Sequence, residues 1–292
     1  MRLLTWNLFH GRDFPPNPAL QTWRSRLLRR DERDATHVQV NRSLRREFAS
    51  RLAGWEWDVA LLQEAPPRWL ADLEQATGAT GARVLTSRNS LAPLRAWIAE
   101  RNPDLIASGE GGSNMLLVRP PARIVATTSA LLASRPERRV LSMAKVQLPE
   151  TAGSPAERFP SGAGGPAVSG PQRRLVVANV HLSVPRTGQG AAEALHAAGL
   201  ATDWAGDDPV VFGGDLNLRP ADHRAAFDDL RARFGLEPPT GPRAIDHLLG
   251  RSLDIVAQPS ALPAVEREVA GAGGLAIRLS DHAPVVASFG LR

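Results

Sequence analysis

The chain has 292 residues, of which 43% are hydrophobic and 22% are charged, as in ordinary globular proteins. Cysteine is absent, which excludes disulfides and thiolate metal sites, so any metal ion must bind oxygen and nitrogen ligands. The sequence contains no run of about 18 apolar residues, and its N-terminus has no secretory pattern. We therefore predict no membrane span and a cytoplasmic protein.

The formal net charge is +5, and the basic side chains are almost all arginine, with Lys145 the only lysine. Arginine pairs well with phosphate, but a protein from a GC-rich genome would also contain arginine in place of lysine. The charge is therefore compatible with a phosphate-bearing substrate and does not identify one.

Short apolar runs along the chain predict buried strands, because they are rich in leucine or β-branched residues and are bounded by Gly, Pro or Asp. In chain order these strands are residues 3–8, 59–63, 115–118, 140–146, 175–180, 210–213, 245–249, 254–257 and 284–289. Helical spacing of apolar residues predicts helices between some of the strands. They are residues 36–52, 91–100, 191–201 and 222–234, the last with Asp222 as its N-cap.

The stretch 149–171 is rich in Pro, Gly, Ser and Ala and lacks periodicity. A domain linker is one interpretation of such a stretch. The strands on both sides have the same character, however, so we predict a single domain, residues 1–292, with a flexible loop at 149–171. The arginine-rich segment 13–34 is predicted to be a second surface insertion.

Polar side chains recur at the ends of the predicted strands. They are Asn7, Gln63, Glu64, His181, Asp215, Asn217, Asp246, Asp281 and His282. Packed side by side, such strands would bring these groups to one edge of a sheet. Carboxylates and amide oxygens suit Mg²⁺, with Mn²⁺ as a substitute, whereas a Zn²⁺ site would usually contain more His or Cys. The two histidines suit proton transfer or contact with phosphate.

Five short motifs, in this order, resemble the endonuclease/exonuclease/phosphatase family. They are Thr5-Trp6-Asn7, Leu62-Gln63-Glu64, Val180-His181-Leu182, Gly214-Asp215-Leu216-Asn217 and Ser280-Asp281-His282. The resemblance extends from Asn7 to Phe289. It implies the DNase I-like α/β (α+β) fold, a four-layer sandwich of two packed mixed β-sheets flanked by helices. It also implies Mg²⁺-dependent hydrolysis of phosphoester bonds.

The resemblance further implies roles for individual residues. The implied metal ligands are Asn7, Glu64, Asp215, Asn217 and Asp281. The implied catalytic residues are His181, Asp215, Asn217, Asp246 and His282, and Asp246 would orient His282 at the scissile phosphate. The sequence leaves open whether Asp215 or His282 is the general base.

Two further residues resemble contacts to the substrate in the family. Asn114 resembles an asparagine near the phosphate, although a simple loop turn is the competing interpretation. Arg139 falls where several branches place a substrate-side arginine, and the neighbouring Arg138 competes for that assignment. Other histidines match no motif and receive no role; these are His10, His37, His196, His223 and His247. Trp55, Trp57 and Trp69 flank the second strand and are predicted to pack in the core rather than to stack on bases.

Three functions are compatible with the sequence. The first is a metal-dependent nuclease or phosphodiesterase acting on DNA or RNA, which the basic charge favours. The second is a phosphatase or phosphodiesterase for a small molecule or lipid headgroup. The third is a non-catalytic binding protein on the same fold. None of the motifs predicts an obligate protein partner.

Overall fold

The computed structural model describes residues 1–28, 30–86, 92–106, 111–135, 137–149, 173–184 and 188–292. Two large β-sheets dominate this part of the chain, and together they contain all nine predicted strands. The first sheet has the strand order β12 (Leu253–Ala261), β15 (Val285–Leu291), β1 (Arg2–Asn7), β4 (Val59–Ala65), β6 (Ser113–Val118) and β5 (Thr80–Leu85). The second has the order β11 (Asp246–Arg251), β10 (Val210–Asp215), β9 (Arg174–His181), β8 (Arg139–Gln147) and β7 (Arg123–Ala133).

Smaller elements surround the two sheets. Two short antiparallel ribbons pair β2 (Glu32–Arg33) with β3 (Val38–Gln39) and β13 (Glu268–Ala270) with β14 (Ala276–Arg278). The helices are α1 (Trp23–Leu28), α2 (Arg45–Gly54), α3 (Leu70–Thr77), α4 (Ala92–Arg101), α5 (Pro103–Ile106), α6 (Gln189–Ala205) and α7 (Arg224–Phe234). No helix in the described part of the chain is long and apolar enough to cross a membrane.

The two sheets pack face to face through an apolar layer. Leu61 and Leu116 of the first sheet and Val177 and Val211 of the second are fully buried in this layer. Successive side chains of a strand point to opposite faces of its sheet. The central strands β1, β4, β6 and β10 are therefore buried along almost their whole length, because both of their faces are covered.

Helices cover the outer face of each sheet. Trp6 of β1 packs in one cluster with Phe48 of α2, and Phe212 of β10 packs in another with Leu230 of α7. The order of layers is thus helix, sheet, sheet, helix. This confirms the four-layer sandwich of two mixed sheets that the family resemblance implies.

Parallel pairing places the predicted site at one edge of the sandwich. Strand β1 is parallel to β4, with Asn7 opposite Gln63, and β9 is parallel to β10, with His181 opposite Asp215. Strand β11 runs antiparallel to β10 and brings Asp246 opposite Asp215. The carboxyl ends of four parallel-paired strands and the start of β11 therefore meet at the same edge.

The predicted helix 36–52 is wrong in its first half, because α2 spans only Arg45–Gly54. Residues 38–39 form strand β3 instead. The carboxylate of Asp34 accepts hydrogen bonds from the backbone N–H groups of Thr36 and His37, and these bonds form a turn. The carboxylate of Asp13 accepts a hydrogen bond from the backbone N–H of Val40. These side-chain acceptors compete with a helical backbone.

Three other predictions meet different outcomes. Helix α7 begins after His223, which makes no side-chain cap, so Asp222 as an N-cap is wrong. The segment 13–34 is partly anchored, since Asp13 and Leu20 are buried, whereas Trp23 is exposed. The predicted loop 149–171 lies outside the described residues apart from position 149.

Candidate active site

Most of the predicted site residues line one cavity of about 820 Å³ at the edge described above. The predicted residues in its wall are Glu64, Arg139, His181, Asp215, Asn217 and His282. Asn7 and Asp246 lie directly behind this wall, where each hydrogen-bonds a lining residue. The structure therefore brings together side chains that are up to 275 positions apart in the sequence (from Asn7 to His282).

Asp246 and His282 form a buried pair, with Oδ2 of Asp246 2.7 Å from Nδ1 of His282. Burial lowers the pKa of His282. The charge and hydrogen bond of Asp246, together with the charges of Asp215 and Asp281, outweigh burial and raise it to about 10. The carbonyl oxygen of His282 accepts hydrogen bonds from Trp6 Nε1 and Arg267 Nη1, which fix the backbone at this position.

Asp215 lies at the centre of the site. Its Oδ2 accepts a hydrogen bond of 3.0 Å from Nδ2 of Asn7, and its Oδ1 accepts one of 3.0 Å from the backbone N–H of Asn217. Burial and the nearby charge of Asp246 raise the pKa of Asp215 to about 7, against the opposing effect of His282. A buried carboxyl with a second carboxylate beside it favours either a proton or a bound cation.

Asn217 has a left-handed backbone conformation with a φ of 54°. Its Nδ2 donates to the carbonyl oxygen of Leu182, which leaves the side chain fixed in the cavity wall. Asparagine is among the few residues that enter this conformation readily. The Asp215–Asn217 turn is therefore held both by backbone geometry and by hydrogen bonds.

Glu64 also has a left-handed backbone, with a φ of 47° at the end of β4. Its Oε2 lies 3.1 Å from Nε2 of His10, and its Oε1 lies 3.8 Å from Nε2 of His181. Burial acts to raise the pKa of Glu64, but electrostatic interactions with His10, His181 and His282 outweigh it and lower the pKa. The carboxylate is thus held ionised between imidazoles.

His181 ends β9 and has Nε2 3.5 Å from Oδ2 of Asp215. Burial, followed by the positive charge of Arg139, lowers the pKa of His181 to about 3. The imidazole is neutral at physiological pH as a result. A neutral imidazole can accept or donate one hydrogen bond at this nitrogen.

Asp281, Asn114 and Arg139 occupy different surroundings. The Asp281 side chain is 30% exposed and lies just outside the cavity wall, with Oδ1 3.9 Å from Nε2 of His282. Asn114 is fully buried and donates to the carbonyl oxygen of Val140, so its predicted contact with substrate stays a prediction. Arg139 faces the cavity, with Nη2 2.5 Å from Glu137, and its buried Nε has no hydrogen-bond partner among the described residues.

His10 is part of the cavity wall, although it matches no motif in the sequence. It follows Asn7 by three residues in a short left-handed turn. Such a turn has no repeating pattern from which the direction of the His10 side chain could be predicted. Gly11 is the sequence feature that marks this turn, because a Cβ at that position would overlap the ring of Trp69. Trp57 and Trp69 are themselves buried, as predicted for core residues.

A buried amide network connects the two sheets beneath the cavity. Nε2 of Gln63 donates to Oδ1 of Asn179 over 2.8 Å, and Nδ2 of Asn179 donates to the carbonyl oxygens of Leu62 and Met115. Gln63 lies in the first sheet and Asn179 in the second. The network thereby fixes one sheet relative to the other directly beside Glu64.

The donor set fits a divalent cation. Ligand atoms of Asp215, Asp246 and His282 all lie within 4.8 Å of one another, and the carboxylate of Asp215 stays available to an ion because Asp246 and His282 are hydrogen-bonded to each other. Oδ1 of Asp246 is buried without a hydrogen-bond partner among the described residues. Glu64 adds a further carboxylate across the same cavity. Several converging carboxylates in a buried site are the usual environment of a hard divalent ion.

The sequence matches the Endonuclease/Exonuclease/phosphatase family across residues 4–282. The chain therefore belongs to this family, whose members are phosphoesterases with the DNase I-like fold. No curated protein matches the chain at the level of sequence.

Solved structures share the fold at low sequence identity. A family member from Bacteroides thetaiotaomicron is 14% identical with a TM-score of 0.61, and the match covers 100% of this chain and 98% of that one. A mannosyl-6-phosphatase from Bacteroides thetaiotaomicron VPI-5482 is 13% identical with a TM-score of 0.59 and 99% coverage of both chains. The catalytic domain of human Nocturnin is 16% identical with a TM-score of 0.57, covering 100% of this chain and 94% of that one.

Proposed function

We propose that this protein is a metal-dependent phosphoesterase that hydrolyses phosphodiester bonds by attack of water at phosphorus. The observation that carries the proposal is the buried Asp246–His282 pair, whose free Nε2 lies 3.7 Å from Oδ2 of Asp215 in the wall of the cavity. A proton donor and a carboxylate that face the same space are what hydrolysis of a phosphate ester requires.

The proposed ligands of the ion are Asn7, Glu64, Asp215, Asn217 and Asp281. Their oxygen atoms favour Mg²⁺, with Mn²⁺ as a substitute. When bound, such an ion neutralises charge on the phosphoryl oxygens and acts as a Lewis acid.

Two side chains of the protein carry out the proton transfers, one as the donor and the other as the acceptor. His282, held protonated by Asp246, donates from Nε2 to a phosphoryl or leaving oxygen. Asp215 accepts a proton from the attacking water, and Asn217 orients that water. Neutral His181 donates a hydrogen bond to the phosphate.

A nucleic acid is the first candidate substrate. The lining of the cavity includes the exposed Arg135 and Arg138 and the buried Arg139, which is paired with Glu137. Arginine forks bind phosphate oxygens bidentately. A row of arginines beside a phosphoesterase site would hold the phosphates that flank the scissile one.

A small-molecule or lipid-headgroup phosphoester is the second candidate. The described residues that line the cavity include no tryptophan or phenylalanine on which a base could stack, whereas proteins that bind single strands usually provide such platforms. The cavity volume of about 820 Å³ also suits a compact ligand.

The test is Mg²⁺-dependent hydrolysis by the purified full chain. The substrates are supercoiled plasmid, single-stranded DNA and RNA, bis-p-nitrophenyl phosphate and a panel of phosphomonoesters. Asp215→Ala and His282→Ala should abolish turnover, whereas His196→Ala, at an exposed histidine on α6, should leave it unchanged.

Each outcome has a defined meaning. Turnover that EDTA and both active-site substitutions remove supports the enzyme. A KM that rises steeply with salt indicates a nucleic acid, and a shallow dependence indicates a small phosphoester. Equal turnover by wild type and His282→Ala would overturn the proposed role of the Asp246–His282 pair. Metal binding without turnover on any substrate class would favour the non-catalytic alternative.

A further inference from the structure

His10 lies against Glu64 in the wall of the cavity. Its Nε2 is 3.1 Å from Oε2 of Glu64, and its side chain is only 10% exposed. Gly112 packs beside the imidazole, since a Cβ placed there would lie 3.4 Å from Cε1 of His10. Gly112 therefore limits the space beside Cε1 of the imidazole, and Nε2 lies against the carboxylate of Glu64.

The backbone around His10 is held in an uncommon conformation. Phe9, His10 and Gly11 have consecutive positive φ angles of 48°, 54° and 75°. The turn is tied to the site at its start, because Oδ1 of Asn7 accepts a hydrogen bond of 2.9 Å from the backbone N–H of Phe9. Left-handed conformations of non-glycine residues are strained, and such strain is retained mainly at functional sites.

The separation of the two side-chain atoms matches that of neighbouring ligands on one ion. Neighbouring ligands on an ion with bonds of about 2.1 Å lie about 3.4 Å apart at the tetrahedral angle and about 3.0 Å apart at a right angle. The observed 3.1 Å between His10 Nε2 and Glu64 Oε2 lies between these two separations. Imidazole nitrogen is a preferred ligand of Co²⁺ and Zn²⁺, whereas Mg²⁺ prefers oxygen.

We propose that Nε2 of His10 is a ligand of the ion that Glu64 binds, and that this nitrogen shifts the site's preference from Mg²⁺ towards Co²⁺ and Zn²⁺. The inference rests on the proposed function only in placing a metal ion at Glu64. A hydrogen bond from His10 to Glu64 would produce a similar distance without a nitrogen ligand, and metal-binding measurements on variants of His10 separate the two.

The experiment is titration of the EDTA-treated full chain with Co²⁺, followed by visible absorption, and with Mg²⁺, followed by calorimetry. The variants are His10→Gln, Glu64→Gln and the control His196→Gln. Glutamine keeps a hydrogen-bond donor for Glu64 but removes the imidazole nitrogen. Melting temperatures without metal establish that each variant is folded, and His10→Ala provides a second variant at the same position.

If the proposal holds, His10→Gln changes the Co²⁺ spectrum and weakens Co²⁺ binding about tenfold or more, with a smaller effect on Mg²⁺. His196→Gln matches wild type, and Glu64→Gln weakens both ions. An unchanged spectrum and an unchanged ratio of Co²⁺ to Mg²⁺ affinity in His10→Gln would overturn it. Because the readout is binding, a His10-dependent spectrum without phosphoester turnover would count against the proposed function alone.

Discussion

Asp246 and His282 are hydrogen-bonded across the boundary between the two sheets. Asp246 begins β11 of the second sheet, and His282 precedes β15 of the first, yet Oδ2 and Nδ1 lie 2.7 Å apart. The pair can form only when both sheets are packed in their native arrangement. Its protonation state therefore reports on the assembled site.

The Asp246–His282 pair leads to a prediction for the Asp246→Asn variant. This substitution keeps the size of the side chain but removes its charge. The pKa of His282 should fall from about 10 towards its ordinary value of 6.5, because burial then acts with less opposition. NMR titration of the imidazole in metal-free protein measures this change, and kcat should fall by about 10²–10⁴.

The same variant should alter the dependence of stability on pH. A raised pKa of His282 stabilises the native state fully below the unfolded value of 6.5, and this contribution is lost as the pH rises through about 10. Asp246→Asn should therefore flatten the stability curve between these values. An imidazole that still titrates near 10 in the variant would show that Asp246 is not the cause.

Asp215 should make the metal-free protein less stable as the pH rises. Its folded pKa of about 7 exceeds the ordinary 3.8, so its contribution is present below 3.8 and is lost as the pH rises through 7. Urea unfolding of wild type and Asp215→Asn in EDTA, at pH 5 and pH 8, tests this. Wild type should lose more stability than the variant, and Mg²⁺ should restore wild type at pH 8. Equal losses in both proteins would contradict the prediction.

Removal of the amide bridge between the sheets should destabilise the fold. Asn179→Ala removes one of the two hydrogen bonds that Gln63 Nε2 donates, the other being to Thr5 Oγ1, and removes the side-chain donor to two buried backbone carbonyls. We expect a loss of about 2–3 kcal/mol in the free energy of unfolding. Gln258→Ala, at an exposed position of β12, is the control and should change it by less than about 0.5 kcal/mol. A loss as small as in the control would show that the bridge is dispensable.

The turn that carries His10 should tolerate no side chain at Gly11. A methyl group there would overlap the Trp69 ring, and the φ of 75° is itself unfavourable for alanine. We expect Gly11→Ala to cost about 3 kcal/mol or more, by overpacking and strain together. Gly78→Ala is a matched control, because its φ is 68° but nothing lies within 4 Å of the added carbon. It should cost only about 1–2 kcal/mol, and a similar cost at both positions would exclude the clash with Trp69.

The sequence predicts the central strands and much of the site for a physical reason. Strands buried on both faces are continuous apolar runs, and polar residues at their ends, such as Glu64 and Asp215, interrupt those runs visibly. Strand β7 was missed because its residues are mostly exposed or half-buried and form no such run. His10 was missed because a left-handed turn has no repeating pattern, and its contact with Glu64 depends on residues far apart in sequence.

The contact between Gln63 and Asn179 has a consequence for how this architecture can vary. Glu64 belongs to one sheet and Asp215 to the other, so a slip between the sheets by one residue, about 3.3 Å, would separate them by more than a ligand distance. The amide bridge fixes this alignment next to Glu64, independently of the loops around the entrance. Loops can therefore change in length and composition, and with them the molecules admitted, while the reacting groups keep their spacing.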